Sequence, residues 1–400
     1  MRVDVISREY PPTVYGGAGV HVTELVKAMR RDIDVVVRCF GDERDEANTY
    51  AYDVPADLTD ANAALGFLGT DLRIAADCEG ADLVHSHTWY ANQAGNIAKL
   101  LHDIPHVISA HSLEPLRPWK AEQLGGGYRL SSWMERDAYT NADRIIAVSN
   151  GMRADILRAY PHLNPDKVVT IYNGIDTNEW QPVDDPEYVR SFGIDPDKPS
   201  VIFVGRITRQ KGLPYLLRAL RELAPEVQVV LCAGAPDTPE IEIEVRGLVD
   251  ELRAQRGGGV YWISEHLPKQ KLMALLTNAD VFVCPSIYEP LGIVNLEAMS
   301  CGTAVVGSGT GGIPEVVQDG VTGTIVPIEQ VQDGTGTPLD PERFVVDLAA
   351  ALNELIADPE RCKTYGEAGR KRVESEFTWE RISQQTQELY REILASSPVA

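Results

Sequence analysis

The sequence predicts an α/β protein built from two Rossmann-like, doubly wound parallel-sheet domains facing a cleft. Three observations carry this expectation. Short apolar runs alternate with helical patterns from the N-terminus, the alternation restarts after residue 200, and a proline-punctuated stretch separates the two series. Strands alternating with helices of this length bury a parallel sheet under helices on both faces.

In the first series, strands are expected at 2–7, 34–40, 83–86, 106–110, 144–148 and 168–171, with helices around 20–30, 61–76, 91–101, 128–141 and 152–160. Asn173-Gly174 then opens a turn, and Pro182, Pro186, Pro196 and Pro199 punctuate a connector. Strands resume at 201–205, 227–232, 260–263, 280–284, 303–306 and 324–326. The expected division is a first domain at 1–172, a hinge at 173–199 and a second domain at 200–379; residues 330–338, rich in Gly and Thr, read as a surface loop. Ligands of open parallel sheets bind beyond the carboxyl ends of the strands, which is where functional residues are sought.

Composition narrows the function. The chain has 400 residues, 44% hydrophobic and 24% charged, as in a globular enzyme. Its 59 acidic against 37 basic residues give a formal charge of −22, a surface that repels nucleic acid and anionic membranes. A phosphate ligand then requires a locally basic cleft. The six cysteines are scattered without a Cys-x-x-Cys pair, so neither a disulfide framework nor a zinc site is expected. The N-terminus enters a strand at once and no apolar run reaches membrane-spanning length, which points to the cytoplasm.

The most informative stretch is 286–312. After an apolar strand it reads as a loop, a helix, a strand and a glycine-rich turn. Pro290 suits a first helical turn, and Gly302 falls where a left-handed helix stop belongs. Between them, the first-turn amides around Gly292, Ile293 and Val294 form an anion cradle at the positive end of the helix dipole. Glu289 and Glu297 bracket the cradle; eight residues of helix rise about 12 Å, roughly the reach from the sugar to the ribose of a nucleotide-diphosphate sugar. Two glutamates on a helix are ordinarily solvated, but here a sharp turn and two glycine clusters surround them.

Arg206 and Lys211 follow the first strand of the second series directly, in Gly205-Arg206-x4-Lys211-Gly212. A guanidinium fork and a mobile ammonium at a strand end suit a diphosphate. In the first series, Tyr15-Gly16-Gly17-Ala18-Gly19 links a strand to a helix. Val22 stands where Gly-x-Gly-x-x-Gly needs its last glycine, so a dinucleotide fingerprint is excluded, leaving exposed amides at Gly16 and Gly17 for a phosphate. His111 ends the fourth expected strand, and His85, His87 and Trp89 end the strand before it, Trp89 being a candidate acceptor residue. His21 belongs to the first helix; without a His-x3-His pair no metal site is read. Arg117, Trp119 and Lys120, in a loop ahead of a triple glycine, could bind a phosphorylated sugar, with Arg117 and Lys120 on the phosphate.

These motifs carry a resemblance. Glu289-x7-Glu297 followed by Gly309-Thr310-Gly311-Gly312 resembles the donor site of retaining glycosyltransferase family 4, of GT-B fold, and Gly205-Arg206-x4-Lys211-Gly212 matches the same family. Glu9-Tyr10-Pro11-Pro12 and the segment 112–120 are similar to the actinobacterial branch of glycogen-synthase-like enzymes, which includes synthases of α-maltose 1-phosphate. The resemblance covers essentially the whole chain. One departure is that Val14-Tyr15-Gly16-Gly17 stands where many bacterial glycogen synthases have Lys-x-Gly-Gly, so a phosphate-binding lysine is missing.

The resemblance implies a retaining α-1,4-glucosyltransferase with ADP-glucose as donor and either glucose 1-phosphate or an α-glucan end as acceptor. It implies that Arg206, Lys211, Gly16 and Gly17 meet the diphosphate, that Glu289 holds the donor sugar and Glu297 the ribose, and that His111 lies beside the anomeric carbon. It also implies front-face displacement, and a C-terminal helix at 380–394 that crosses back onto the first domain. No cofactor and no metal are expected, because fixed cations do the work of an ion; a homodimer stays open. A nucleotide-sugar epimerase and a non-catalytic glucan-binding protein are the alternatives from other classes.

Overall fold

The computed structural model describes residues 1–117, 125–331 and 333–396. The chain forms two compact units, Met1–Gly174 with Trp379–Ala400, and Ile175–Thr378.

The sheet of the first unit contains β1 (Arg2–Ser7), β2 (Asp34–Phe40), β3 (Thr49–Tyr52), β4 (Leu83–His87), β5 (His106–Ala110), β6 (Arg144–Ala147) and β7 (Val168–Thr170). Their order is β3-β2-β1-β4-β5-β6-β7, and every neighbouring pair is parallel. The central strands β1, β4 and β5 are buried along nearly their whole length because helices cover both faces. β3 was not expected: this four-residue edge strand, Thr-Tyr-Ala-Tyr, is buried only at its two ends and presents no apolar run.

The helix Trp379–Ser396 belongs to this unit. Its buried Ile382, Leu389, Tyr390 and Ile393 recur at helical spacing and join Val3, Val5, Val22 and Leu25 in one core. Under the sheet, Asp4 is fully buried and accepts from Arg38 Nε at 2.6 Å and Arg2 Nε at 3.0 Å. Arg38 continues to Tyr52 Oη at 2.5 Å, and that hydroxyl donates to Asp77 at 2.9 Å. Removing one member of a buried pair leaves an uncompensated charge, so Asp4→Ala should destabilise the protein by about 3–5 kcal/mol. Urea unfolding checks this as a fall in midpoint without a change in slope.

The second unit repeats the design with β8 (Ser200–Arg206), β9 (Gln228–Gly234), β10 (Val260–Ile263), β11 (Val281–Cys284), β12 (Ala304–Ser308) and β13 (Gly323–Val326), ordered β10-β9-β8-β11-β12-β13. In each unit the winding direction reverses once, between β1 and β4 and between β8 and β11. Such switch points open a crevice at the strands' carboxyl ends. In the second unit the crevice is explicit. β8 pairs with β9 through Arg206, but with β11 only at Val201 and Ile202.

The segment read as a connector is built into this unit. Ile175 donates to Phe377 O at 2.7 Å and bridges to Thr378, and Asp185 pairs with Lys271 at 3.0 Å. Among the described residues no helix is long and apolar enough to cross a membrane.

Candidate active site

In the second unit, Arg206 ends β8 and the loop after it carries Lys211 into the switch-point crevice. Gly212 makes this approach possible. Its φ is +65°, and a Cβ there would overlap the Pro285 carbonyl at the start of the loop after β11. The two loops are stitched by Ile287 N–H donating to Gln210 O at 2.8 Å. Lys211 Nζ therefore lies 2.6 Å from Glu289 Oε2, which also accepts from Ser286 Oγ at 3.1 Å. Burial pulls the Lys211 ammonium down, but Glu289 and Cys284 together hold it above its ordinary value, so it stays charged. Arg206 faces the same end of the sheet and pairs with Asp237 at 3.1 Å.

The glycine-rich turn supports this carboxylate rather than forming a second cradle. Gly312 N–H donates to Glu289 O at 3.0 Å, and Gly311, with φ +54°, packs so closely that a Cβ would overlap that carbonyl. The loop 330–338 adds another brace: Gln330 donates to Ile287 O at 2.6 Å and accepts from Thr310 Oγ1 at 2.9 Å.

The helix starts later than expected. It spans Ile293–Ser300, capped by Gly292 at φ +95°, so Pro290 lies in the preceding loop and not in a first helical turn. The extra turn of loop is fixed by the Glu289 and Gly312 backbones, which a local pattern does not reveal. Asn295 N–H already bonds Gly292 O at 2.9 Å, so the cradle comes down to the Ile293 and Val294 amides at the helix start. Gly302 adopts the left-handed stop, with φ +79°.

Glu297 is raised to about 7, chiefly by burial, with Lys269 and Lys211 pulling the other way. Its ionised form accepts hydrogen bonds from a diol; its protonated form loses part of that capacity. On the expectation that Glu297 meets the ribose of a nucleotide-sugar donor, donor binding should tighten as pH rises from about 6 to 8, and Glu297→Gln should flatten the profile in calorimetric titrations. The effect on folding has the opposite sign. A carboxyl held above its ordinary 4.5 contributes less stability as pH rises through about 7.

In the first unit, His111 follows β5 and its Nε2 lies 3.1 Å from His87 Nδ1. His21 packs edge-on against His111 with ring centroids 4.6 Å apart. The ligand nitrogens of His21, His87 and His111 all lie within 4.8 Å of one another, a set that could hold a metal ion. Sequence spacing could not show it, because the three come from different elements. Burial and neighbouring imidazoles hold His87 and His111 well below the ordinary range, and His21 is pulled down to about 4, so all three are neutral near pH 7. His85, beneath them, bonds Tyr390 Oη at 2.6 Å and Ser109 Oγ at 2.9 Å.

Two expectations change here. Glu9 Oε2 accepts from the N–H groups of both Tyr15 and Gly16 at 2.8 Å, so the Gly16 amide already has an anionic partner. Of the two glycine amides, that of Gly17, which opens the helix Gly17–Met29, is left for a ligand. Trp89 is 3% exposed and packs with Ala64 and Met134, so it is a core residue and not an acceptor platform. Arg117 donates to Ser112 Oγ at 3.2 Å; Lys120 lies outside the described residues.

The second unit thus carries a charged pair at the switch point of its doubly wound sheet, and the first carries a polar cluster on a second such sheet. Comparison with known proteins gives the class to which this pair of sheets belongs, the GT-B glycosyltransferases. The model for glycosyltransferase family 4 matches residues 15–179 and that for glycosyl transferases group 1 matches 184–372. The chain is 54% identical over 398 residues to an α-maltose-1-phosphate synthase of Mycolicibacterium smegmatis, covering 99% of this chain and 100% of that one. It is 29% identical over 429 residues to a glycogen synthase of Mycobacterium tuberculosis, covering 98% of this chain and 94% of that one. Among solved structures, sucrose-phosphate synthase from Thermosynechococcus elongatus superposes with a TM-score of 0.77 at 24% identity, covering 99% of this chain and 100% of that one, which speaks for the fold. The chain belongs to the glycosyltransferase family 4 enzymes, in the branch of the α-maltose-1-phosphate synthases, and is a hexosyltransferase.

Proposed function

We propose that this enzyme transfers glucose from ADP-glucose to glucose 1-phosphate with retention, forming α-maltose 1-phosphate. The observation that carries the acceptor is the similarity to α-maltose-1-phosphate synthases along 99% of the chain, well above that to a glycogen synthase. The six cysteines are all unpaired, which suits a reducing compartment such as the cytoplasm.

In this reading Arg206, Lys211 and the Ile293 and Val294 amides receive the donor diphosphate, Glu289 the donor glucose, and Glu297 the ribose. Lys211 and Arg206 exchange part of their contact with Glu289 and Asp237 for phosphate oxygens. Their charge is in place before the glycosidic bond breaks, so little reorganisation is needed as negative charge grows on the leaving group. His111, neutral and tied to His87, hydrogen-bonds the sugar rather than shuttling a proton, and Gly17 offers its amide to phosphate. The departing phosphate takes the proton of the acceptor hydroxyl as the new bond forms on the same face. Because these charges do the work of a divalent ion, EDTA should leave turnover unchanged; a loss restored by added metal would assign a role to the histidine cluster.

The test supplies ADP-, UDP- and GDP-glucose with glucose 1-phosphate or glycogen and identifies products by mass spectrometry. A disaccharide phosphate from the ADP-glucose and glucose 1-phosphate pair is expected. Glucan elongation alone would overturn the reading.

A further inference from the structure

At the switch point of the first sheet, Arg8 follows β1 directly, one residue beyond Ser7, whose partner across the strand pair is His87. Its guanidinium carbon sits 4.3 Å from the centroid of the Tyr90 ring and 4.8 Å from that of Phe67. Those rings meet edge to face at 5.1 Å. Tyr90 lies in the first turn of the helix after β4, so the aromatic rest belongs to the crevice end of the sheet. Among the described residues Arg8 makes no hydrogen bond and no ion pair, and it is exposed.

That is unusual in this chain, where 59 acidic residues face 37 basic ones and most arginines have found a carboxylate. Arg117, one of the two acceptor cations read from the sequence, is engaged with Ser112 and lies beside the buried Glu114 and Glu135. Arg8 differs. Two rings hold its guanidinium in place, while its N–H edges remain free to make paired hydrogen bonds. A planar, oriented fork with empty donors recognises a phosphate dianion.

We propose that Arg8, seated on Tyr90 and Phe67, binds the phosphate of a phosphorylated sugar acceptor and sets the preference for such acceptors over neutral sugars. This rests on the proposed function, in which that acceptor is glucose 1-phosphate. Tyr90 is a positioning residue: it touches the guanidinium and not the substrate.

The test compares wild type, Arg8→Ala and Arg8→Lys with saturating ADP-glucose and either glucose 1-phosphate or maltose as acceptor, alongside calorimetric titration with ADP. Arg8→Ala should lower kcat/KM for glucose 1-phosphate about 100-fold, mostly through KM, as expected on removing one partner of a charged contact. Arg8→Lys should recover part of the loss, the ADP affinity should stay unchanged, and any rate with maltose should be unaffected. Equal losses with both acceptors, or weakened ADP binding, would make Arg8 a structural residue and overturn the proposal. So would an undiminished kcat/KM for glucose 1-phosphate. If wild type makes no product from glucose 1-phosphate, the proposed function itself fails, and this assignment with it.

Discussion

Arg206→Ala and Lys211→Ala should each lower kcat by about 10²–10³-fold, the range seen when one preorganised donor to a developing charge is removed. Arg206 is partly exposed, with 39% of its side-chain surface accessible, so its loss should leave the melting temperature nearly unchanged. Lys211 is more enclosed, at 17%, and neutralises Glu289 at 2.6 Å. Its removal strands a carboxylate in a crevice and lowers stability as well as turnover. The two effects separate in Lys211→Ala/Glu289→Gln, where stability should recover and turnover should not. Near-normal rates in both single variants, measured with ADP-glucose by ADP release, would remove the electrostatic argument.

The second large effect is expected at two glycines that act through the backbone of the site. Gly212 and Gly311 both have positive φ, and a Cβ on either would drive into a backbone carbonyl, Pro285 O in one case and Glu289 O in the other. Neither carbonyl can swing aside as a flexible side chain could. Alanine at either position should therefore displace the Lys211 loop or the Glu289 backbone. A shift of about 1 Å at reacting groups can cost roughly 100-fold in rate, and overpacking with left-handed strain should destabilise by about 2–4 kcal/mol. Kinetics and thermal melts of Gly212→Ala and Gly311→Ala check both numbers. Gly257→Ala is the control, since its φ is also positive, +68°, but nothing stands within 4 Å of an added Cβ. It should show the backbone strain without the loss of rate.

Much of this site was legible because local chemistry dictates it. β1, β2, β8 and β9 are apolar runs long enough to name themselves, and Arg206 and Lys211 follow one of them in a loop that ends in glycine. Gly302 announced its left-handed stop. What the sequence withheld depends on residues distant along the chain. No residue-by-residue pattern says that Glu9 folds forward onto the Gly16 amide, and still less that Gly311 and Gly312 brace Glu289. His21, His87 and His111 converge from a helix and two strand ends. Trp89 was a candidate acceptor residue by its place at a strand end, yet its neighbours Ala64 and Met134 take it into the core. Arg8 was overlooked for a related reason, since a lone arginine after a strand acquires meaning only when two rings are seen beneath it.

The central claim is that Arg206 and Lys211 act on the departing diphosphate, and changing the leaving group tests it most directly. Single-turnover transfer to glucose 1-phosphate is measured for wild type and Arg206→Ala/Lys211→Ala with ADP-glucose and with α-glucosyl fluoride. A fluoride leaving group presents no diphosphate for the two cations to neutralise. The double variant should fall far behind wild type with ADP-glucose and keep most of the wild-type rate with the fluoride. Equal deficits with both donors would mean that the cations serve the fold or the acceptor, and would contradict the account.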